Sequence, residues 1–160
     1  MDREFEWMLN ATDLAMLLGV EETWLTELLP GPVQGVPAGR PCEGGLRPGY
    51  RWFVAGKPAA LVVIGVSTEL VVVGVPVVDW HGPGTPVLRT SREEVAEREC
   101  LAFHRDAGRA WLKTAIRDAR VMRERRFRVC VRCGERNPPE WMDSLDRWCH
   151  ECAAREGAVF

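Results

Sequence analysis

The sequence predicts an α+β fold: an N-terminal helix pair, a small β-sheet, a long amphipathic helix and a C-terminal cysteine-rich knuckle. Three observations support it. Helix-capping residues precede short leucine-rich segments near the start, two valine-rich runs flank a polar turn in the middle, and two C-x-x-C pairs lie near the end. The 160 residues are 46% hydrophobic and 28% charged, which is typical of a globular protein.

Residues 1–30 are predicted to form the helix pair. Asn10 is placed to cap a first helix with Asp13 as its third residue, and Gly19 supplies the left-handed residue that ends it. A second helix is expected over about 22–29, ended by Pro30. Three leucines of the first helix share one face, so the two helices should pack together.

The segment 12–29 resembles a helix-turn-helix of the MerR/excisionase type. The resemblance implies a regulator whose second helix reads DNA. That helix offers Glu21, Glu22, Thr23 and Glu27 and has no Lys or Arg, and acidic side chains are repelled by phosphates. We therefore expect the helix pair to be a scaffold or a protein-binding surface rather than a reader of DNA bases.

Residues 31–49 are rich in glycine and proline and are interpreted as a linker, and residues 50–90 as a small β-sheet. A strand is expected at 50–54, and a hairpin over 60–66 and 70–75 with a turn between. The hairpin is apolar on both faces, so both must be covered. One long helix covers one face, and the N-terminal helices or a second copy must cover the other, which makes homodimerisation through the hairpin a hypothesis.

Residues 91–126 are predicted to form the long helix. The segment 91–94, Ser-Arg-Glu-Glu, is a capping box, and apolar residues then recur every three to five positions as far as Met122. Cys100 and His104 lie four residues apart on this stripe. They are interpreted as core residues, with a second metal site as the alternative.

Residues 127–160 contain the strongest functional signal of the chain. Fifteen residues separate two C-x-x-C pairs made of Cys130, Cys133, Cys149 and Cys152, and Gly134 permits the tight turn after the first pair. This spacing predicts one structural Zn²⁺ held by four thiolates, with a redox pair or two disulfides as alternatives. Trp141 and Trp148 are expected to form an apolar plug beside the metal.

The knuckle resembles the C-terminal four-cysteine finger of the DksA/TraR group, which implies RNA polymerase as a partner. It is also similar to the treble-clef knuckle found near phage HNH-type nucleases. Such nucleases need a His/Asn/His set after the knuckle, and the sequence has only His81, His104 and His150. We therefore do not expect nuclease activity, and no recognisable catalytic set suggests another enzyme.

A band of arginines leads into the knuckle. Its members are Arg117, Arg120, Arg123, Arg125, Arg126, Arg128, Arg132 and Arg136. Guanidinium groups match phosphates and carboxylates bidentately, so the band is interpreted as a surface for nucleic acid or an acidic protein. The alternative is a solvated helix end, but the helix dipole accounts for only one or two cations.

The function expected from these features is a small zinc-binding regulator, of the kind that phages and mobile elements encode, acting on nucleic acid or the transcription machinery. The alternative is a protein-binding inhibitor or adaptor. The polar turn within the apolar segment 59–78 argues against a membrane span, and the charged N-terminus lacks a signal-peptide pattern. Paired cysteines without a secretory signal favour a reducing compartment, so we expect the cytoplasm.

Overall fold

The computed structural model describes residues 3–39, 44–82, 86–143 and 145–157. Within them it shows a mixed α+β fold with a five-stranded antiparallel sheet, helices and a C-terminal cysteine cluster, which confirms the predicted fold class. None of the described helices is long and apolar enough to cross a membrane. How the chain divides into domains remains a prediction.

The two predicted N-terminal helices form, after a short helix α1 (Arg3–Glu6) that was not predicted. Helix α2 (Ala11–Leu18) begins at Asn10, whose side chain accepts from Thr12 N–H and Asp13 N–H in a full capping box. It ends at Gly19, which has a φ of 68°. Helix α3 (Glu22–Leu28) follows.

The sheet is larger than predicted because residues assigned to a linker and to a helix are strands. Its order is β1 (Val33–Val36), β2 (Arg51–Ala55), β3 (Val62–Val66), β4 (Leu70–Trp80) and β5 (Pro86–Glu97). β1 lies inside the predicted linker, so the interpretation of 31–49 as linker throughout was wrong. Residues 40–43 of that segment lie outside the described residues.

The prediction that the long helix begins at Ser91 was also wrong. Residues 86–97 pair along β4 as strand β5, with a register shift between Val73 and Val75. The capping box is a local signal, and it is overridden by pairing with the edge of the eleven-residue β4 that β3 does not occupy. The helix is instead divided into α4 (Arg98–Phe103) and α5 (Arg105–Arg125).

Gly108 in the first turn of α5 allows α4 and α5 to pack closely. A Cβ atom at this position would lie 2.8 Å from Leu101 Cα and 2.9 Å from the Cys100 carbonyl oxygen. Helix α5 itself runs through Gly108 without a break and ends at Arg125.

All the larger helices pack on one face of the sheet. Leu14 and Leu25 from the helix pair and Leu112 from α5 share one core with Phe53 and Ile64 of the sheet. Each such side chain contributes about 1.5–3 kcal/mol when fully buried. The helix pair therefore does not cover the second face of the hairpin.

The second face of the sheet is covered by the chain's own residues. Leu46, before β2, and Trp52 pack with Val36, Val63 and Val72 on that face. The Trp52 ring lies over Gly65, where an added Cβ would come within 2.5 Å of the indole. A second copy of the chain is therefore not required to cover the hairpin.

The C-terminal knuckle contains a short hairpin, a 3-10 helix and a final helix. The strands β6 (Arg128–Val129) and β7 (Arg136–Asn137) pair with each other, and the 3-10 helix spans Pro139–Trp141. Helix α6 (His150–Arg155) completes it.

Candidate metal centre and its arginine-lined groove

The four cysteines of the two C-x-x-C pairs lie together. Their sulfur atoms all lie within 4.8 Å of one another, and Cys133 Sγ lies 3.9 Å from Cys149 Sγ. Cys130 and Cys133 lie on the turn that follows β6, while Cys149 caps α6 and Cys152 lies in its first turn. The predicted set of four residues therefore converges on one point.

Backbone hydrogen bonds hold the two cysteine turns in place. Cys130 N–H donates to the Glu135 carbonyl oxygen at 2.9 Å, and Gly134 N–H donates to the Cys130 carbonyl oxygen at 2.9 Å. Gly134 has a φ of 77°, which an L side chain rarely adopts. Met142 forms an antiparallel bridge with Cys149, and Cys149 N–H donates to Cys130 Sγ at 3.2 Å, which places the second turn against the first.

The electrostatics of the cluster favour a cation at its centre. Burial raises the pKa of Cys130, but the backbone N–H groups of Cys133, Cys149 and Arg132 outweigh it and lower that pKa to about 6. Burial and the neighbouring thiols raise the pKa of Cys152 to about 12. Cys130 thus ionises readily while Cys152 resists ionisation, an imbalance that a bound cation removes.

The cluster fits a tetrahedrally coordinated metal ion. Metal–sulfur bonds of about 2.3 Å in a tetrahedron place sulfur atoms roughly 3.8 Å apart, close to the 3.9 Å between Cys133 and Cys149. Four thiolates leave no coordination position for a substrate. The four cysteines can therefore hold a metal ion.

Of the two tryptophans predicted to plug the knuckle, Trp148 packs against the cysteines together with Met142. Arg132 lies over the Trp148 ring, with its guanidinium carbon 4.9 Å from the ring centroid, and pairs with Glu156. Trp141 is only partly buried and lies outside this cluster.

A buried ion pair joins the knuckle to the rest of the fold. Arg123 of α5 is 2% exposed, pairs with Glu140 of the 3-10 helix, and donates from Nε to the Ala60 carbonyl oxygen at 3.1 Å. Trp80 at the end of β4 donates from Nε1 to the Glu140 carbonyl oxygen at 3.3 Å. Sequence reasoning did not identify Glu140 or Trp80 as the contacts of the knuckle.

Comparisons with protein-family models, curated proteins and solved structures give no match. The resemblances to MerR/excisionase helix pairs and to DksA/TraR fingers therefore gain no support from relatives, and what the site does must be argued from its own geometry.

The arginine band separates into paired and unpaired members. Arg117 pairs with Asp118, Arg120 with Glu124 and Arg132 with Glu156, while Arg123 is buried. Four of its members form no ion pair among the described residues. They are Arg125, Arg126, Arg128 and Arg136.

The four arginines without an ion pair differ in whether their guanidinium groups form other hydrogen bonds. Arg126 donates to the Ser91 hydroxyl at 3.3 and 3.4 Å, and Arg136 donates to the Glu124 carbonyl oxygen at 2.8 Å. Arg125 and Arg128 are exposed to solvent. These two project from the junction between α5 and the knuckle.

A groove of about 650 Å³ lies beside the cysteine cluster, and sequence reasoning did not find it. Arg128 and Arg147 line it with Asp143, and its apolar lining consists of Phe127, Val129, Val131, Pro139 and Met142. Arg147 is exposed and forms no ion pair in the described part of the chain. Arg147 has a φ of 56°, and sequence reasoning did not single out this residue.

The second metal site considered at Cys100 and His104 is not formed. Cys100 lies in α4 and is partly buried, while His104 is exposed at the junction with α5. Among the described residues no third ligand lies with them.

Proposed function

We propose that this chain is a zinc-stabilised, non-enzymatic regulatory protein that binds nucleic acid through the arginines at the junction of α5 and the knuckle. The carrying observation is that Arg125, Arg128 and Arg147 are exposed and unpaired, and that two of them line a groove. Phosphate neutralisation by arginine dominates nucleic-acid affinity.

Zinc is the metal that the ligand set favours. Four thiolates in a tetrahedron select Zn²⁺ or an iron–sulfur centre. Zn²⁺ needs no ligand other than the four sulfur atoms to complete its tetrahedral coordination. Its closed coordination gives the metal a structural role, which agrees with a binding protein. The thiolates also require a reducing compartment, such as the cytoplasm.

The salt dependence of binding tests the proposal. Binding of a labelled duplex at 50–300 mM KCl should weaken as salt rises, with a logarithmic slope of about −0.9 for each phosphate contact. A variant with Arg125→Ala and Arg128→Ala should make that slope shallower by about 1.8. This pair leaves Arg126 in place, because Arg126 bonds to Ser91 and its loss would also disturb β5.

Arg105→Ala together with Arg117→Ala is the matched control. Both residues are exposed cations on α5, and both pair with carboxylates. This control should leave the slope unchanged. Equal slopes for the two double variants would contradict the proposal, as would the absence of binding to both a duplex and a single strand at 50 mM KCl.

A protein-binding adaptor is the second candidate function, and a different surface favours it. Phe5 in α1, Trp7 and Met8 in the turn after it, and Met16 in α2 are all at least 51% exposed, so the N-terminal region offers apolar side chains to a partner. If they contact a protein, Trp7→Asp should abolish capture of a complex such as RNA polymerase from extract while nucleic-acid binding persists.

A further inference from the structure

We infer that the knuckle groove takes a single-stranded nucleic acid in preference to a duplex, with its phosphates on Arg128 and Arg147 and its bases against the apolar wall. This inference rests on the proposed function and specifies its ligand.

The shape of the site is the first reason. The cationic groups of Arg128 and Arg147 line a concavity of about 650 Å³. A duplex presents a convex backbone, and its bases are read by an element that enters a groove of the DNA. A duplex would therefore reach only the rim of this site, whereas a flexible single strand can follow its floor.

The lining is the second reason. Val129 is 54% exposed and Val131 is 63% exposed, and both line the groove beside Phe127 and Met142. Unstacked bases have apolar faces that pack on such surfaces, whereas the bases of a duplex are already stacked on each other. Apolar lining contributes to affinity only when bases are free.

The charges are the third reason. Arg128 and Arg147 have no carboxylate partner among the described residues, so both guanidinium groups can take phosphates. The Asp143 carboxylate in the same lining accepts from Leu145 N–H at 2.7 Å, which fixes it within its own turn. The strand should therefore run past the two arginines and along the valines.

The experiment compares the zinc-loaded full chain on a labelled 12-nucleotide DNA or RNA strand and on the corresponding blunt duplex, at 50 mM KCl. We expect the single strand of one or both sugars to bind at least tenfold more tightly than the duplex. Val131→Asp should weaken single-strand binding at least tenfold, because a carboxylate on the wall repels phosphates and disfavours base contact.

Matched variants test whether the single strand binds in the groove. Val95→Asp places the same charge on a valine that is 51% exposed on β5, outside the groove, and should change affinity less than twofold. Arg147→Asn removes the cation while keeping a residue that tolerates positive φ, and should also weaken single-strand binding. Circular dichroism and zinc content show whether each variant remains folded.

The outcomes separate the two proposals. Duplex binding equal to or tighter than single-strand binding would overturn this inference and leave the proposed function intact. Single-strand preference with equal effects of Val131→Asp and Val95→Asp would also overturn it, because the strand would bind elsewhere. No binding of either form would overturn both.

Discussion

Arg123 shows how helical phase decides the role of a side chain. It stands in a run of arginines, yet it follows Ala119 by four residues and Ile116 by seven, and both are buried in α5. The same periodicity that predicts the apolar stripe therefore turns Arg123 toward the core. Its charge is tolerated there because Glu140 and the Ala60 carbonyl oxygen surround it.

Replacing Arg123 with methionine should destabilise the protein by about 3–5 kcal/mol, because Glu140 would stay buried without its cation. Adding Glu140→Gln should restore part of that loss. Arg120→Met, which breaks an exposed pair one turn earlier, should cost under about 1 kcal/mol. Urea unfolding measures all three, and equal losses at Arg123 and Arg120 would contradict the buried pair.

Glu21 makes a pH-dependent contact between the helix pair and α5. A backbone hydrogen bond and then Arg109 lower the pKa of Glu21 below its ordinary value. A carboxyl with a lowered folded-state pKa stabilises the fold above its unfolded pKa, and that contribution is lost as pH falls through the folded value. Wild-type and Glu21→Gln melting temperatures should therefore differ at pH 7 and converge toward pH 3.

At the scale of elements, a capping sequence predicts a helix correctly where no adjacent strand pairs with the same residues. Asn10 and Gly19 delimit α2 as predicted, because both ends of that helix are set by capping within the chain segment itself. Ser91 carries an equally good capping box but lies in β5, because β4 offers a row of hydrogen-bonding partners. A short-range pattern cannot reveal a partner strand ten or more residues away.

The cap of α2 can be tested directly. Asn10→Ala should cost about 1 kcal/mol, because the N–H groups of Thr12 and Asp13 lose their acceptor. Asn10→Asp supplies an equivalent oxygen and should be close to neutral. Thermal or urea unfolding of the two variants measures the difference, and equal stability would show that the cap contributes nothing.

At the scale of the whole molecule, the sequence predicts the cysteine cluster but not where the knuckle sits. Paired C-x-x-C turns determine their own geometry, so the four sulfurs converge with few other contacts. The position of the knuckle depends on Arg123, Glu140 and Trp80, which are far apart in the chain. The groove forms beside this junction, which is why only the structure shows it.

Metal loss should therefore affect more than the knuckle. Structural zinc contributes about 10–16 kcal/mol of apparent binding free energy, so Cys133→Ser or chelation should unfold residues 128–157. Glu140 would then leave Arg123, and the end of α5 should loosen as well.

Helix α2 packs through Leu14 on a core that contains no knuckle residue, so α2 should keep its protection. Hydrogen exchange measured by mass spectrometry can follow the knuckle, the end of α5 and α2 separately. Cys100→Ser is the control, because that cysteine lies outside the cluster, and it should retain the metal and leave exchange across the knuckle unchanged. Unchanged exchange at the end of α5 after metal loss would show that the ion pair does not couple the knuckle to the core. Exchange throughout α2 would instead show that the chain unfolds as one cooperative unit.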